Sequence, residues 1–572
     1  MTRYWPVLIL SAVAPLFAQV QHYQPVTEDM LLHPSPNDWL MYSRTFDAQR
    51  YSPLKQINLG NVGQLRMAWS RGFGPGQTET IPLVHDGVMY VVAPGAIVQA
   101  LDATTGDLLW EYKRKVTSGM AAVARTKNLA IYQDVIIYTA PDSYVVGLDA
   151  RTGEQRWETK TDGRGNTSGP LVVDGIAISG GACAGKRDNC YIEANDALTG
   201  KEVWRFYTTP APGEPGDESW GGAPLEKRQA STWGLPGTYD PVSKLLYWGV
   251  ANPMPDQRMS RHNGNPAAIS RTAPADLYSN STVALNPQTG KLQWYYQYLP
   301  GDDWDSDYTH ERTLVREKFE PDPKYVKWIN PDVPRGQERD VAVTVGEAGG
   351  VFEIDRKTGQ FLWATPFPYD DPKFVISDID VKTGKTTINW DLVFKKPGEE
   401  HVVCFWNTRS YWPTAFDPET NSLYVSYIDN CRDLKLDGPE GRGSWQVIPR
   451  PGSDPNALTG LAKINLSTGE MLRFDVGRAP GNGAMLTTAG GLVFHGDMSR
   501  RFRAFDARSG KKLFETILGG NISVSTITYA VNGKQYVSVM TGDNLKVPEL
   551  SKEVPELRVP TGNNAIYTFA LP

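Results

Sequence analysis

The chain has 572 residues, 54 glycines, 42 prolines, 17 tryptophans and 26 tyrosines, with 21% charged residues and a formal net charge of −6. That length is either several domains or one large repeat fold, and the turn-rich, aromatic composition suggests many short strands rather than helices. A slightly acidic surface offers no basic stripe for phosphate backbones, so nucleic acid is not an expected partner.

Met1 to Ala18 reads as a secretory signal peptide: Arg3 gives the positive start, Trp5 to Phe17 is apolar, and a cut before Gln19 is plausible. No later stretch approaches the ~20 apolar residues of a membrane span, so a periplasmic or secreted protein is expected. Cys183, Cys190, Cys404 and Cys431 are compatible with two disulfides in an oxidising compartment. Cys183 with Cys190 is the easiest pairing to imagine, across a loop containing Gly185.

Internal repetition is the strongest signal. ALDATTGDLLW ending at Trp110, GLDARTGEQRW at Trp157, ANDALTGKEVW at Trp204, ALNPQTGKLQW at Trp294 and EIDRKTGQFLW at Trp363 share one frame. Asp or Asn is followed four residues later by Gly and eight later by Trp. Two degenerate copies follow, with Arg473 and Phe514 at the Trp position. In each unit a strand ends at the Asp or Asn, the T-G pair makes a tight turn, and the next strand delivers the Trp. A preceding hairpin with its own D-G turn, as in LVHDGVMYVVA from Leu83, makes four strands per unit.

A four-stranded sheet cannot bury both faces alone, and radial stacking solves that. With FDPETNSLYVSYID around Asp417 as a further unit, the expected fold is all-β, an eight-bladed β-propeller spanning residues 19–572 as a single domain. Insertions at Ala211 to Gln229, Pro255 to Ser279, Tyr369 to Val402 and Arg432 to Pro455 are expected as loops over one face. Ring closure is expected to pair Leu65 to Trp69 with Ala565 to Leu571.

The repeated frame, together with NDWLMYSRTFDAQRYSPLKQINLGNVGQLRMAWS at Asn37 to Ser70, resembles the quinoprotein alcohol dehydrogenases. The resemblance runs from about Asn37 to the C-terminus. It implies a propeller carrying pyrroloquinoline quinone (PQQ) and a calcium or lanthanide ion, oxidising an alcohol. Trp233 in STWGLPG matches the floor beneath the quinone, where an indole face suits a planar ring system. Asn252 in GVANP matches a metal-binding asparagine, Asp305 in DWDSD the general base and a metal ligand, and Asp307 the additional aspartate associated with lanthanides. Glu79 and Thr167 match cofactor contacts, and Lys127 stands where an arginine pairs with a cofactor carboxylate.

Four departures qualify the match. Cys183 stands where the family has a metal-binding glutamate, and Met120 to Ala122 replace an adjacent cysteine pair. Ala348 replaces an Arg or Lys beside the quinone oxygens, and Gly481 replaces a late tryptophan. They leave a second reading open, that of an empty quinoprotein: a non-catalytic propeller that has lost the quinone and serves as a binding or assembly module. No G-x-S-x-G elbow, Walker glycine loop or zinc-type His cluster supports an unrelated enzyme. His310, His401 and His495 read as surface or core residues. No CxxCH motif is present, so released electrons are expected to pass to a separate cytochrome c or other carrier.

Overall fold

The computed structural model describes all residues except 1–19, 21, 123, 163–164, 184, 406–407, 438–443 and 523. The expected signal peptide therefore lies outside the described residues. Among those described, the chain is almost entirely strand and turn, and no α-helix exceeds five residues. None is long and apolar enough to cross a membrane.

The repeated frame builds one device, used again and again. In the first copy the Asp102 carboxylate accepts the backbone N–H of Thr104 (2.7 Å) and Thr105 (3.1 Å), and Gly106 closes the turn onto the Asp102 carbonyl (2.8 Å) at φ +77°. An L side chain at that φ would be strained, which is why the fourth residue of the frame is glycine. Asp149, Asp196, Asn286 and Asp355 cap their turns the same way.

Space adds a second requirement. A methyl group on Gly106 would lie 2.5 Å from the Trp69 indole, and on Gly153 2.4 Å from that of Trp110. Gly200, Gly290 and Gly359 sit likewise on Trp157, Trp204 and Trp294. Each turn thus docks on the tryptophan delivered by the unit before it, and the Trp69, Trp110 and Trp204 indole N–H groups return a bond, Trp110 to Ala150 O at 3.0 Å. The frame is therefore the contact between successive sheets as well as a turn within one. In the degenerate sixth copy the residue beneath the next glycine, Gly510, is Phe474 and not the neighbouring Arg473. A register shift in the pairing of Thr459–Asn465 with Met471–Gly477 accompanies the change, and an apolar ring is kept where a guanidinium would not pack.

The described strands form eight antiparallel sheets of four or five strands, one of which gains its fifth strand, Tyr51–Ser52, in parallel. Arg66–Gly72 pairs antiparallel with Ala565–Ala570, so strands from the two ends of the chain complete one sheet, with Arg66–Gly72 at its edge. Inner strands such as Val88–Ala93, Val135–Ala140 and Ser422–Ile428 are buried at every position, whereas outer strands such as Gln155–Lys160 are largely exposed.

The insertions are more ordered than loops. Gln229–Ala230 pairs with Pro253–Met254, and Ile376–Ile379 with Thr386–Ile388. Glu400–Cys404, Asn430–Lys435 and Trp445–Pro449 form a three-stranded sheet pinned by the Cys404–Cys431 disulfide. Their turn-rich composition and short length concealed these strands.

Candidate functional site

The segment Gly301 to Tyr308 divides its four aspartates between two tasks. Asp302 is fully buried and accepts the backbone N–H groups of Trp304 and Ser306, both at 2.7 Å, and an Asn280 amide bond at 3.1 Å. Asp303 accepts Arg258 N at 2.5 Å and Phe394 N at 2.8 Å, and burial pushes its carboxyl up to about 7. These two fold the segment into a rigid bend, with Asp305 at φ +61°, a conformation aspartate tolerates better than most residues. Asp305 and Asp307 are thereby presented to a cavity of about 410 Å³.

All seven residues singled out in the sequence line that one cavity: Glu79, Lys127, Thr167, Trp233, Asn252, Asp305 and Asp307. Their mutual bonds are specific. The Trp233 indole N–H donates to Asp307 Oδ2 and the Asn252 backbone N–H to Asp307 Oδ1, each at 2.7 Å. Thr167 Oγ1 donates to the Trp233 carbonyl at 2.8 Å, and Lys127 Nζ donates to the same carbonyl at 3.0 Å. That ammonium also lies 4.4 Å from the indole centroid, so one face of the ring carries a cation and a planar ligand would stack on the other. The Asn252 amide nitrogen is held by Asp256 Oδ1 (3.1 Å), and among the described residues no hydrogen bond uses its oxygen.

The cavity also holds residues that the sequence did not point out. Glu347 lies beside the expected Ala348, which is buried and does not face the cavity. The position flagged as having lost a positive group is thus next to a buried acid. Arg125 is two residues before Lys127, and its Nε is buried without a hydrogen-bond partner among the described residues. Arg432 and Trp445 come from the three-stranded insertion sheet, with the guanidinium 4.3 Å from the indole centroid. Arg432 Nη1 bonds the Trp304 carbonyl (2.8 Å) and lies 3.4 Å from Asp305 Oδ2. Lys546 and Glu549 come from a short helix near the C-terminus. Residue type alone could have flagged Arg125 and Glu347, being adjacent to recognised positions. Arg432 and Lys546 carry no local motif.

The other departures resolve physically. Cys183 borders the cavity but is bonded to Cys190, so it presents no thiol at all. The helix Ser118–Ala122 and Gly481 do not line the cavity. Gly481 instead borders a separate cavity of about 300 Å³, where a Cβ would come within 2.3 Å of Ser426 Oγ.

Charge in the site is concentrated and mostly dry. Burial, then Glu347 and Asp305, hold the Asp307 carboxyl well above the usual range. Burial raises Glu347 to about 7 despite the opposing charge of Lys546, and burial lowers Lys127 to about 8 despite Glu79, 4.0 Å away. Buried acids shielded from water and facing one another favour a shared proton. This combination, a concave wall with an indole, cations and titrating acids, marks the cavity as the candidate binding or active site.

Comparison with known proteins decides the family. The model described as "PQQ: Glucose/ethanol/alcohol dehydrogenase, beta-propeller domain" matches residues 39–368 and 455–537. The chain belongs to this β-propeller family. The quinohemoprotein alcohol dehydrogenase ADH-IIG of Pseudomonas putida is 32% identical over 549 residues, which cover 89% of this chain and 72% of the relative. Its strain HK5 counterpart among solved structures superposes with a TM-score of 0.80 at 26% identity, covering 96% of this chain and 83% of that one. A europium-containing methanol dehydrogenase gives 0.79 at 26% identity, over 95% of this chain and all of that one. The family match leaves a gap at 369–454, the region that supplies Arg432 and Trp445.

Proposed function

We propose that this chain is a periplasmic, PQQ-dependent oxidoreductase acting on a primary alcohol or similar small substrate, with the eight sheets as the eight blades of its propeller. The observation that carries the reading is the convergence of the seven chosen side chains on one cavity, whose volume falls within the ~300–1,000 Å³ usual for cofactor sites. The residues suit the quinone: the Trp233 ring that lines the cavity gives a stacking surface, and Lys127 and Arg125 offset its acidic groups. The unpartnered Nε of Arg125 is a buried donor in need of an acceptor.

When bound, PQQ supplies the acceptor for the hydride of an alcohol. The chain supplies the rest. Asp305, partly exposed and aimed into the cavity mouth by its bend, takes the alcohol proton as general base. Glu79 and Thr167, which line the same cavity, orient the ligand. Electrons then leave to a separate carrier such as a cytochrome c.

The expected metal fits less well. Asn252, Asp305 and Asp307 were expected to hold calcium or a lanthanide, yet both Asp307 oxygens already accept short bonds and Asp305 faces Arg432. Among the described residues no group of three or more His, Cys, Asp or Glu is placed to hold an ion. No step is assigned to a metal.

The second reading, a propeller without quinone acting as a binding or assembly module, is favoured by the same internal pairing and by the cation already seated on Trp233. Titrating the purified protein with PQQ, followed by quenching of tryptophan emission, separates the two. One-to-one binding at micromolar quinone, weakened by Trp233→Ala, supports the oxidoreductase; no saturable binding supports the module.

A further inference from the structure

The segment between the strands Lys534–Thr541 and Ala565–Ala570 places a lysine in the acidic cavity. Asn544 Oδ1 caps the turn by accepting the N–H groups of Lys546 (3.0 Å) and Val547 (3.1 Å), and the Leu545 N–H is anchored on Glu79 Oε1 at 3.2 Å. Lys546 is only 7% exposed, and its Nζ is 3.4 Å from Glu549. It lines the same cavity as Glu347 and Asp305, and its charge opposes the burial that raises Glu347.

Several of the oxygens that would otherwise surround a cation are engaged. Asp307 accepts from Trp233 and Asn252, Glu347 from Ser410, and Asp305 pairs with Arg432. Calcium normally gathers about six to eight oxygen ligands. Here the amide oxygen of Asn252 is left over, and Cys183 is locked in a disulfide. A divalent or trivalent ion brought to these acids would also meet Lys546, Lys127 and Arg432 at short range in a medium that screens poorly.

We infer that in this chain the Lys546 ammonium takes the electrostatic place of a metal ion, so that the acids of the cavity are balanced and the quinone is held without calcium or a lanthanide. Lys546 is thus a positioning residue, acting through Glu347 and Asp305. The inference takes its ligand from the function proposed above, but its first test does not.

That test uses the full chain, free of quinone and stripped with chelator, titrated with terbium and read by tryptophan-sensitised luminescence and by the thermal midpoint. The wild type is expected to show no one-to-one binding and no shift. Lys546→Gln leaves the acids uncompensated and is expected to bind terbium roughly tenfold or more tighter than wild type, whereas Lys546→Arg behaves as wild type. One-to-one micromolar terbium binding by the wild type would overturn the inference, as would equal binding by Lys546→Gln. If Lys546→Gln does not fold, Lys546→Met, which keeps the chain length and removes the charge, takes its place in the same titration.

In the second test PQQ is titrated in excess chelator and then with calcium or lanthanum. Equal affinity within threefold is expected, and a tenfold dependence on the ion overturns the inference. Absence of quinone binding in every condition removes the proposed function, while the terbium result still decides the role of Lys546.

Discussion

Asp305→Asn isolates the proton-transfer role from the fold. The residue sits at φ +61°, a region Asn occupies as readily as Asp, so the substitution imposes no new backbone strain. Its carboxylate is 31% exposed and lies 3.4 Å from Arg432, a long, partly solvated pair of the kind worth about 0–1 kcal/mol. Arg432 keeps the Trp304 carbonyl at 2.8 Å and its place over Trp445. Stability is therefore expected to change by less than about 1 kcal/mol. Loss of a general base, in contrast, costs roughly 10²- to 10⁴-fold in rate, or about 3–5 kcal/mol of barrier. The assay is alcohol-dependent dye reduction by quinone-loaded protein, with PQQ titration and the urea midpoint measured on the same preparations. Turnover within threefold of wild type, with quinone bound and the midpoint unchanged, would refute the assignment of Asp305 as the base.

Two further expectations concern the scaffold. Glu317 and Glu353 are buried near each other; burial raises Glu317 to about 7, and burial together with Glu317 holds Glu353 well above its usual range. Raised folded-state values mean that the folded protein holds protons the unfolded chain has released. The contribution is full below about pH 4.5 and is lost as pH rises towards 7, a difference on the order of 3 kcal/mol for Glu317. Glu353→Gln is therefore expected to raise the urea midpoint at pH 8 and leave it nearly unchanged at pH 5, and a shift independent of pH would contradict this. Gly153→Ala places a methyl 2.4 Å from the Trp110 indole at φ +74°, and backbone strain with overpacking should cost about 2–4 kcal/mol. Gly185→Ala, at φ +77° with nothing within 4 Å, should cost about 1–2 kcal/mol; equal losses in urea unfolding would show that the indole contact is unimportant.

Local chemistry determined much of this protein directly. The spacing of Asp, Gly and Trp fixes a capped turn and a strand whose ring serves the next unit, because a left-handed glycine and an indole below it leave few alternatives. Trp233, Asn252, Asp305 and Asp307 were marked by resemblance to the quinoprotein alcohol dehydrogenases, while the bend that presents the two aspartates is held by Arg258, Asn280 and Phe394 from other segments. Tertiary structure alone decided the remainder. Arg432 enters the cavity through strands paired across an insertion, and Lys546 through a cap anchored on Glu79, more than 450 residues away in the chain. The balance of charge among buried groups depends on distances between segments remote in sequence and on exclusion of water from the space between them. No periodicity encodes either quantity, so Asp305, Asp307 and Lys127 were legible in the sequence, whereas Glu347 and Lys546, which line the same cavity, were not.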